Sequence, residues 1–164
     1  MKTFGVTGWK NSGKTGLVER LVTHFTEQGL RISTIKHAHH AFDVDTPGRD
    51  SHRHREAGAH EVLVSSRQRM ALMRELRGAP EPTLNDLIEQ LSPVDLVIVE
   101  GFKSEPHPKI ECHRAATGQD LISKTDTSIV ALASDTLAEA PIPTFPLDDT
   151  AAIAAFIRGH VGLT

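Results

Sequence analysis

Gly8-Trp9-Lys10-Asn11-Ser12-Gly13-Lys14-Thr15 follows the apolar-rich run Phe4-Gly5-Val6-Thr7 and leads into a helix-like pattern. It is a complete Walker A pattern, Gly-x4-Gly-Lys-Thr. A turn built around Gly8 and Gly13 lets successive backbone N–H groups converge on phosphate oxygens, and the N-terminus of the next helix adds partial positive charge. In this reading Gly8, Asn11, Ser12, Gly13 and Gly16 surround the phosphates, Lys14 reaches the β/γ-phosphates and Thr15 offers its hydroxyl to Mg2+. A merely decorative glycine turn fits poorly with a strand before it and a helix after it.

Outward from this loop, residues 2–7 read as a strand, and Lys14 to about Gln28 carries Leu17, Val18, Leu21, Val22 and Phe25 at helical spacing. Gly29 stands where a helix C-cap belongs, and Arg31–Lys36 reads as a second strand. Such βαβ crossovers give parallel strands with the ligand edge at their carboxyl ends, where Gly8 and His37 fall. Asp95–Glu100 (DLVIVE) predicts a buried, central parallel strand. Ser128–Ala133 predicts another, Thr144–Leu147 a short last one, and Lys109–Arg114 an edge strand. Glu61–Ser65 and Gln68–Glu75 read as a small antiparallel pair. Helices are expected after Asp50 or Ser51, from Thr83 to Leu91, and from Asp148 or Asp149 to about Arg158. Residues 115–127 read as a polar, mobile connection. The fold class is α/β, three-layered, with a mainly parallel central sheet and one small antiparallel strand pair.

At 164 residues the chain is read as one domain, 1–164, with room for a sizeable core. A net charge of -3 gives no general pull toward nucleic acid or anionic membrane, so neither is an expected partner. The single cysteine, Cys112, excludes an intramolecular disulfide framework and a CxxC site. It reads as structural. No signal-like segment or long apolar run is visible, and a soluble cytoplasmic protein is expected.

A phosphate loop needs a metal-side acid. Glu100 closes a strand of four apolar residues, the position of a Walker B carboxylate, and Gly101 beside it permits close backbone approach to nucleotide. Asp95 lies about 17 Å away along the same strand and reads as a cap or surface residue. Asp43, Asp45 and Asp50, in the Pro-Gly loop 43–50, could each join the metal shell, with Asp45 taken as the candidate. An ordinary turn with solvated acids is the alternative. Asp135, at the exit of SIVALAS, could accept from guanine N1 and N2 or simply cap a turn. The histidines 37, 39, 40, 52, 54 and 60 could hold Zn2+ or Ni2+, or form with Arg49, Arg53 and Arg55 a local basic patch for a phosphorylated ligand.

Together, GWKNSGKT, IKHAHH with DVDTPGRDS, DLVIVEGFK, PKIECHR and IVALASD resemble the molybdopterin-guanine dinucleotide biosynthesis protein B family over nearly the whole chain. The resemblance implies a P-loop GTPase fold that binds GTP with Mg2+ and hydrolyses it weakly. It also implies a homodimer that serves a molybdenum cofactor guanylyltransferase joining GMP to molybdopterin. Its nucleotide loop falls on Gly8–Thr15, its metal-side acid on Glu100 and its acidic loop on Asp43–Asp50; Cys112 stands where an aliphatic residue is expected. A P-loop small-molecule kinase and a His-rich metal-delivery GTPase remain alternatives.

Overall fold

The computed structural model describes residues 1–38, 42–136 and 140–163. Its contacts group into two compact units, Met1–His37 with Leu84–Thr164, and Ala38–Thr83. The first unit contains β1 (Lys2–Gly8), α1 (Lys14–Glu27) and β2 (Ile32–Lys36), then α3 (Leu84–Glu89), β5 (Leu96–Glu100), β6 (Lys109–His113), β7 (Ile129–Ser134), β8 (Thr144–Pro146) and α4 (Thr150–Val161). The second contains α2 (Asp50–Glu56), β3 (Glu61–Ser65) and β4 (Met70–Arg74).

The sheet of the first unit has the order β2-β5-β1-β6-β7-β8, with every neighbouring pair parallel. The period-two alternation of the strands divides the core between the sheet's two faces. Phe4, Val6, Ile98 and Ile110 pack on one face with Leu17, Leu21 and Phe25 of α1 and Ile153 and Ile157 of α4. Val97, Val99 and Ile35 pack on the other with Leu84, Leu87 and Ile88 of α3. This is the expected three-layer α/β arrangement. In the second unit β3 and β4 pair antiparallel, as read from the sequence.

The expected edge strand is a correction. Lys109–His113 lies inside the sheet, paired on one side with β1 and on the other with β7, so it offers no free edge to a second subunit. Its charged residues misled the reading because their partners are distant in sequence. Lys109 is fully buried, and its ammonium donates to the carbonyls of Lys103 (3.2 Å) and Glu105 (2.5 Å) and to Ser128 Oγ (2.7 Å), with Asp126 at 3.5 Å. Glu111, also fully buried, accepts the backbone N–H groups of Ile122 and Ser123. These bonds hold the two chain segments that cross this face of the sheet. Residues 115–127 accordingly contain two 3-10 turns, at Ala115–Thr117 and Ile122–Lys124.

The helix ends differ in detail. Asp149 caps α4, accepting from Ala152 N at 3.0 Å, and the helix runs to Val161. Neither Asp50 nor Ser51 caps α2, whose N-cap is Arg49 without a side-chain bond; Ser51 donates to Asp45 instead. Helix α3 is shorter than the expected span from Thr83 to Leu91, running from Leu84 to Glu89.

Candidate phosphate and metal site

The loop after β1 sits at the carboxyl edge of the sheet, between β5 and β6. Its glycines are required by geometry. Gly8 (φ +143°) would place a Cβ 2.5 Å from Ser12 Oγ, and Gly13 has φ +98°, a conformation that L side chains rarely adopt. Gly13 is also the N-cap of α1, which has no side-chain cap and no acid in its first turn. The helix therefore presents its first N–H groups and its positive dipole end to the loop, without an internal carboxylate competing for them. Ser12 Oγ is buried with no hydrogen-bond partner among the described residues. These features fit a phosphate group.

Lys14 folds back to donate to the Trp9 carbonyl at 2.6 Å. Burial holds its ammonium below the ordinary lysine value; Cys112 and Glu100 oppose that shift, and Lys103 and Lys36 reinforce it. A bound polyanion would favour the charged form. Thr15 Oγ1 stands 3.1 Å from Glu100 Oε1, so a hydroxyl and a carboxylate come together from positions 85 residues apart. This hard-oxygen pair fits Mg2+, which takes oxygen ligands and retains waters in the rest of its shell. In that role Mg2+ would neutralise phosphate charge, while Lys14 and the loop N–H groups orient the phosphates.

Gly101 (φ +95°) would place a Cβ 3.1 Å from that of His37, so its close neighbour here is protein backbone and side chain. Phe102 also has positive φ, +48°, an uncommon conformation for a bulky residue that costs about 1–3 kcal/mol. Burial of its ring, with the His37 ring at 4.8 Å, offsets that cost. Asp135 Oδ1 accepts from Ala115 N at 2.9 Å, at the start of the turn Ala115–Thr117. Cys112 is fully buried, and burial pushes its thiol up to about 12, which removes it as a nucleophile.

Several neighbours of the loop were missed by sequence reading. Lys36 ends β2 with its ammonium 3.3 Å from Glu100 Oε1, and Lys103 lies 4.2 Å over the Trp9 ring. Arg114 passes close to Gly13 and lines, with Trp9, Asn11, Thr117 and Gln119, a cleft of about 520 Å³ beside the phosphate loop. The cross-strand pairing of two strand ends was the available signal for Lys36; none existed for Arg114 or Lys103.

In the second unit, Asp45 accepts from Ser51 Oγ (2.8 Å) and Arg55 Nε (3.3 Å), while Arg55 also binds Asp43 and Glu75. Arg55 is thus an internal clamp rather than part of an open basic patch. Its hydrogen bonds hold Asp43 below the usual carboxylate range. His39 and His40 lie outside the described residues, and no group of three His, Cys, Asp or Glu placed to hold a metal occurs among the described ones.

The parallel sheet and the glycine loop leaving its β1 strand define a P-loop NTPase fold. The solved MobB homologue from Bacillus stearothermophilus superposes with a TM-score of 0.75 at 28% identity over 100% of both chains. A crystal structure of molybdopterin-guanine biosynthesis protein B gives 0.77 at 25%, covering 96% of this chain and 99% of the other. The model of the family described as molybdopterin guanine dinucleotide synthesis protein B matches residues 3–135, and the chain belongs to that family. The molybdopterin-guanine dinucleotide biosynthesis adapter protein of Escherichia coli (strain K12) is 37% identical over 154 residues, 91% of this chain and 87% of its own. Its counterpart in Haemophilus influenzae is 40% identical over 134 residues, 80% and 73% of the two chains.

Proposed function

We propose that this protein is a GTP-binding adapter in the conversion of molybdopterin cofactor to its guanine dinucleotide form, working with a guanylyltransferase. Gly8–Thr15 holds the triphosphate of GTP, and Thr15 with Glu100 holds Mg2+. The observation that carries the reading is the 3.1 Å meeting of the Thr15 hydroxyl and the Glu100 carboxylate at the mouth of a glycine loop. The pathway is that of its relatives, the molybdopterin-guanine dinucleotide biosynthesis adapter proteins. Asp135 stands at the carboxyl end of β7, beyond the phosphate loop, and is the group proposed to read guanine. Hydrolysis is slow, about 10^-4 to 10^-2 per second, because no sequence motif supplies an arginine finger or a catalytic glutamine. The active form is a cytoplasmic homodimer.

Calorimetry of GTP against ATP, with and without Mg2+, tests the nucleotide assignment, and adding molybdopterin tests the pathway. GTP should bind more tightly than ATP, with an Mg2+ dependence that Glu100→Gln removes. Equal affinity for ATP, or turnover far above the stated range without a partner, would overturn the reading.

A further inference from the structure

Lys36 and Glu100 are the last residues of the adjacent parallel strands β2 and β5, and the register pairs them directly. In-register neighbours of a parallel pair project to the same face of the sheet. The Lys36 ammonium accordingly lies 3.3 Å from Glu100 Oε1, the same oxygen that accepts from Thr15 at 3.1 Å. The Glu100 side chain is only 11% exposed, whereas that of Lys36 is 60% exposed. A carboxylate so shielded from water needs a counter-charge, and the lysine provides it. We propose that Lys36 is an exchangeable counter-ion that keeps the Thr15–Glu100 pair closed to a divalent cation until nucleotide phosphate draws its ammonium away.

The inference rests on the reading of Thr15 and Glu100 as the metal-binding pair. A divalent cation bound there would face the lysine's like charge within a few ångströms. Departure of the ammonium is easy because its four-carbon stem is flexible and more than half in water. Lys14 donates to the Trp9 carbonyl, Lys103 lies over the Trp9 ring and Lys36 pairs with Glu100, so like charges repel around one loop. A polyphosphate relieves that repulsion and releases Glu100 in the same event. Metal binding thereby becomes thermodynamically linked to nucleotide binding, with each favouring the other. Lys36 is a positioning residue in this scheme.

Mn2+ serves as the probe, its free concentration followed by electron paramagnetic resonance during titration of the nucleotide-free protein and of its complex with a non-hydrolysable GTP analogue. An exposed unit-charge pair is worth a few-fold in affinity, and the divalent ion doubles the repulsion. Lys36→Gln should therefore tighten Mn2+ binding to the nucleotide-free protein about tenfold and shrink the gain on adding nucleotide. Lys36→Arg should behave as wild type, and Lys36→Gln with Glu100→Gln should lose the new affinity. Unchanged or weaker Mn2+ binding by nucleotide-free Lys36→Gln overturns the proposal. If Glu100→Gln still abolishes metal binding in the nucleotide complex, only the counter-ion role fails. If Glu100→Gln leaves that binding intact, the metal-pair reading falls and this inference falls with it.

Discussion

Replacing Lys109 by Met tests how the segment beside the phosphate loop is held. Lys109 is fully buried, and its ammonium serves two carbonyls, one hydroxyl and one carboxylate. Met fills nearly the same volume, so the cavity contribution is small and the loss is electrostatic. Removing one partner from a buried, hydrogen-bonded charge cluster costs about 3–5 kcal/mol. Here the lower end applies, because Asp126 is 24% exposed and retains both the N–H and the hydroxyl of Ser128. Urea denaturation should show a loss of about 3 kcal/mol with an unchanged m-value, equivalent to roughly 6–12 °C in Tm for a chain of this size. Because the lysine bonds the carbonyls of residues 103 and 105, amides of 101–108 should exchange faster than global unfolding requires. A stability loss below about 1 kcal/mol with undiminished protection of 101–108 would refute the assignment of Lys109 as the anchor.

Three further expectations concern other contacts. Gly5→Ala would place its methyl group 2.5 Å from His107 Nε2 and 2.7 Å from Lys109 Cβ, and should cost about 1–3 kcal/mol; adding His107→Ala should recover part of it, whereas strict additivity in denaturation would contradict the contact. Burial and Lys109 lower His107 from 6.5 to about 4, so the native state binds fewer protons than the unfolded state between those values. Stability should be fully present above about pH 6.5 and decline as pH falls toward 4, by about 1–2 kcal/mol after allowing for the ring's partial exposure; His107→Gln should flatten that slope in pH-dependent urea titrations. Arg55→Ala releases Asp43, Asp45 and Glu75 within the second unit, and limited proteolysis should then cut residues 42–50 at least several-fold faster, with no change meaning that the clamp does not order this loop.

What could be read from the sequence was local. The helix 14–27 follows from side-chain period, the buried strand 96–100 from its continuous apolar run, and the phosphate loop from glycine geometry. The position of β6 could not be read in that way. KIECH looks half-polar, as an exposed edge strand does, and only its distant partners at Lys103, Glu105, Ser128 and residues 122–123 show that those charges are interior. Asp45 illustrates the same limit, since an aspartate in a Pro-Gly loop carries no mark of whether it faces a cation or an arginine. Its Arg55 partner lies ten residues on, within helix α2.

The stretch from Glu100 to Glu111 makes more demands on its sequence than the phosphate loop does, and its contacts give the physical reason. A Walker A loop satisfies mainly local demands, namely positive φ at glycine and open helix N–H groups, so many unrelated chains can meet them. The later stretch must satisfy several separate partners together. Glu100 reaches Thr15 and Lys36, Phe102 packs on His37, Lys103 covers Trp9, and Lys109 and Glu111 bind the crossing segments. Most of these contacts tie the stretch to segments distant in sequence, and altering Glu100, Lys109 or Glu111 leaves buried polar groups without their partners. Lys109 and Glu111 hold the strand beside β1 in place, whereas Gly8–Thr15 forms the surface that phosphate would meet. The division makes a testable distinction: substitutions at Lys109 or Glu111 should lower stability before they alter nucleotide affinity, while substitutions at Lys14 or Thr15 should do the reverse.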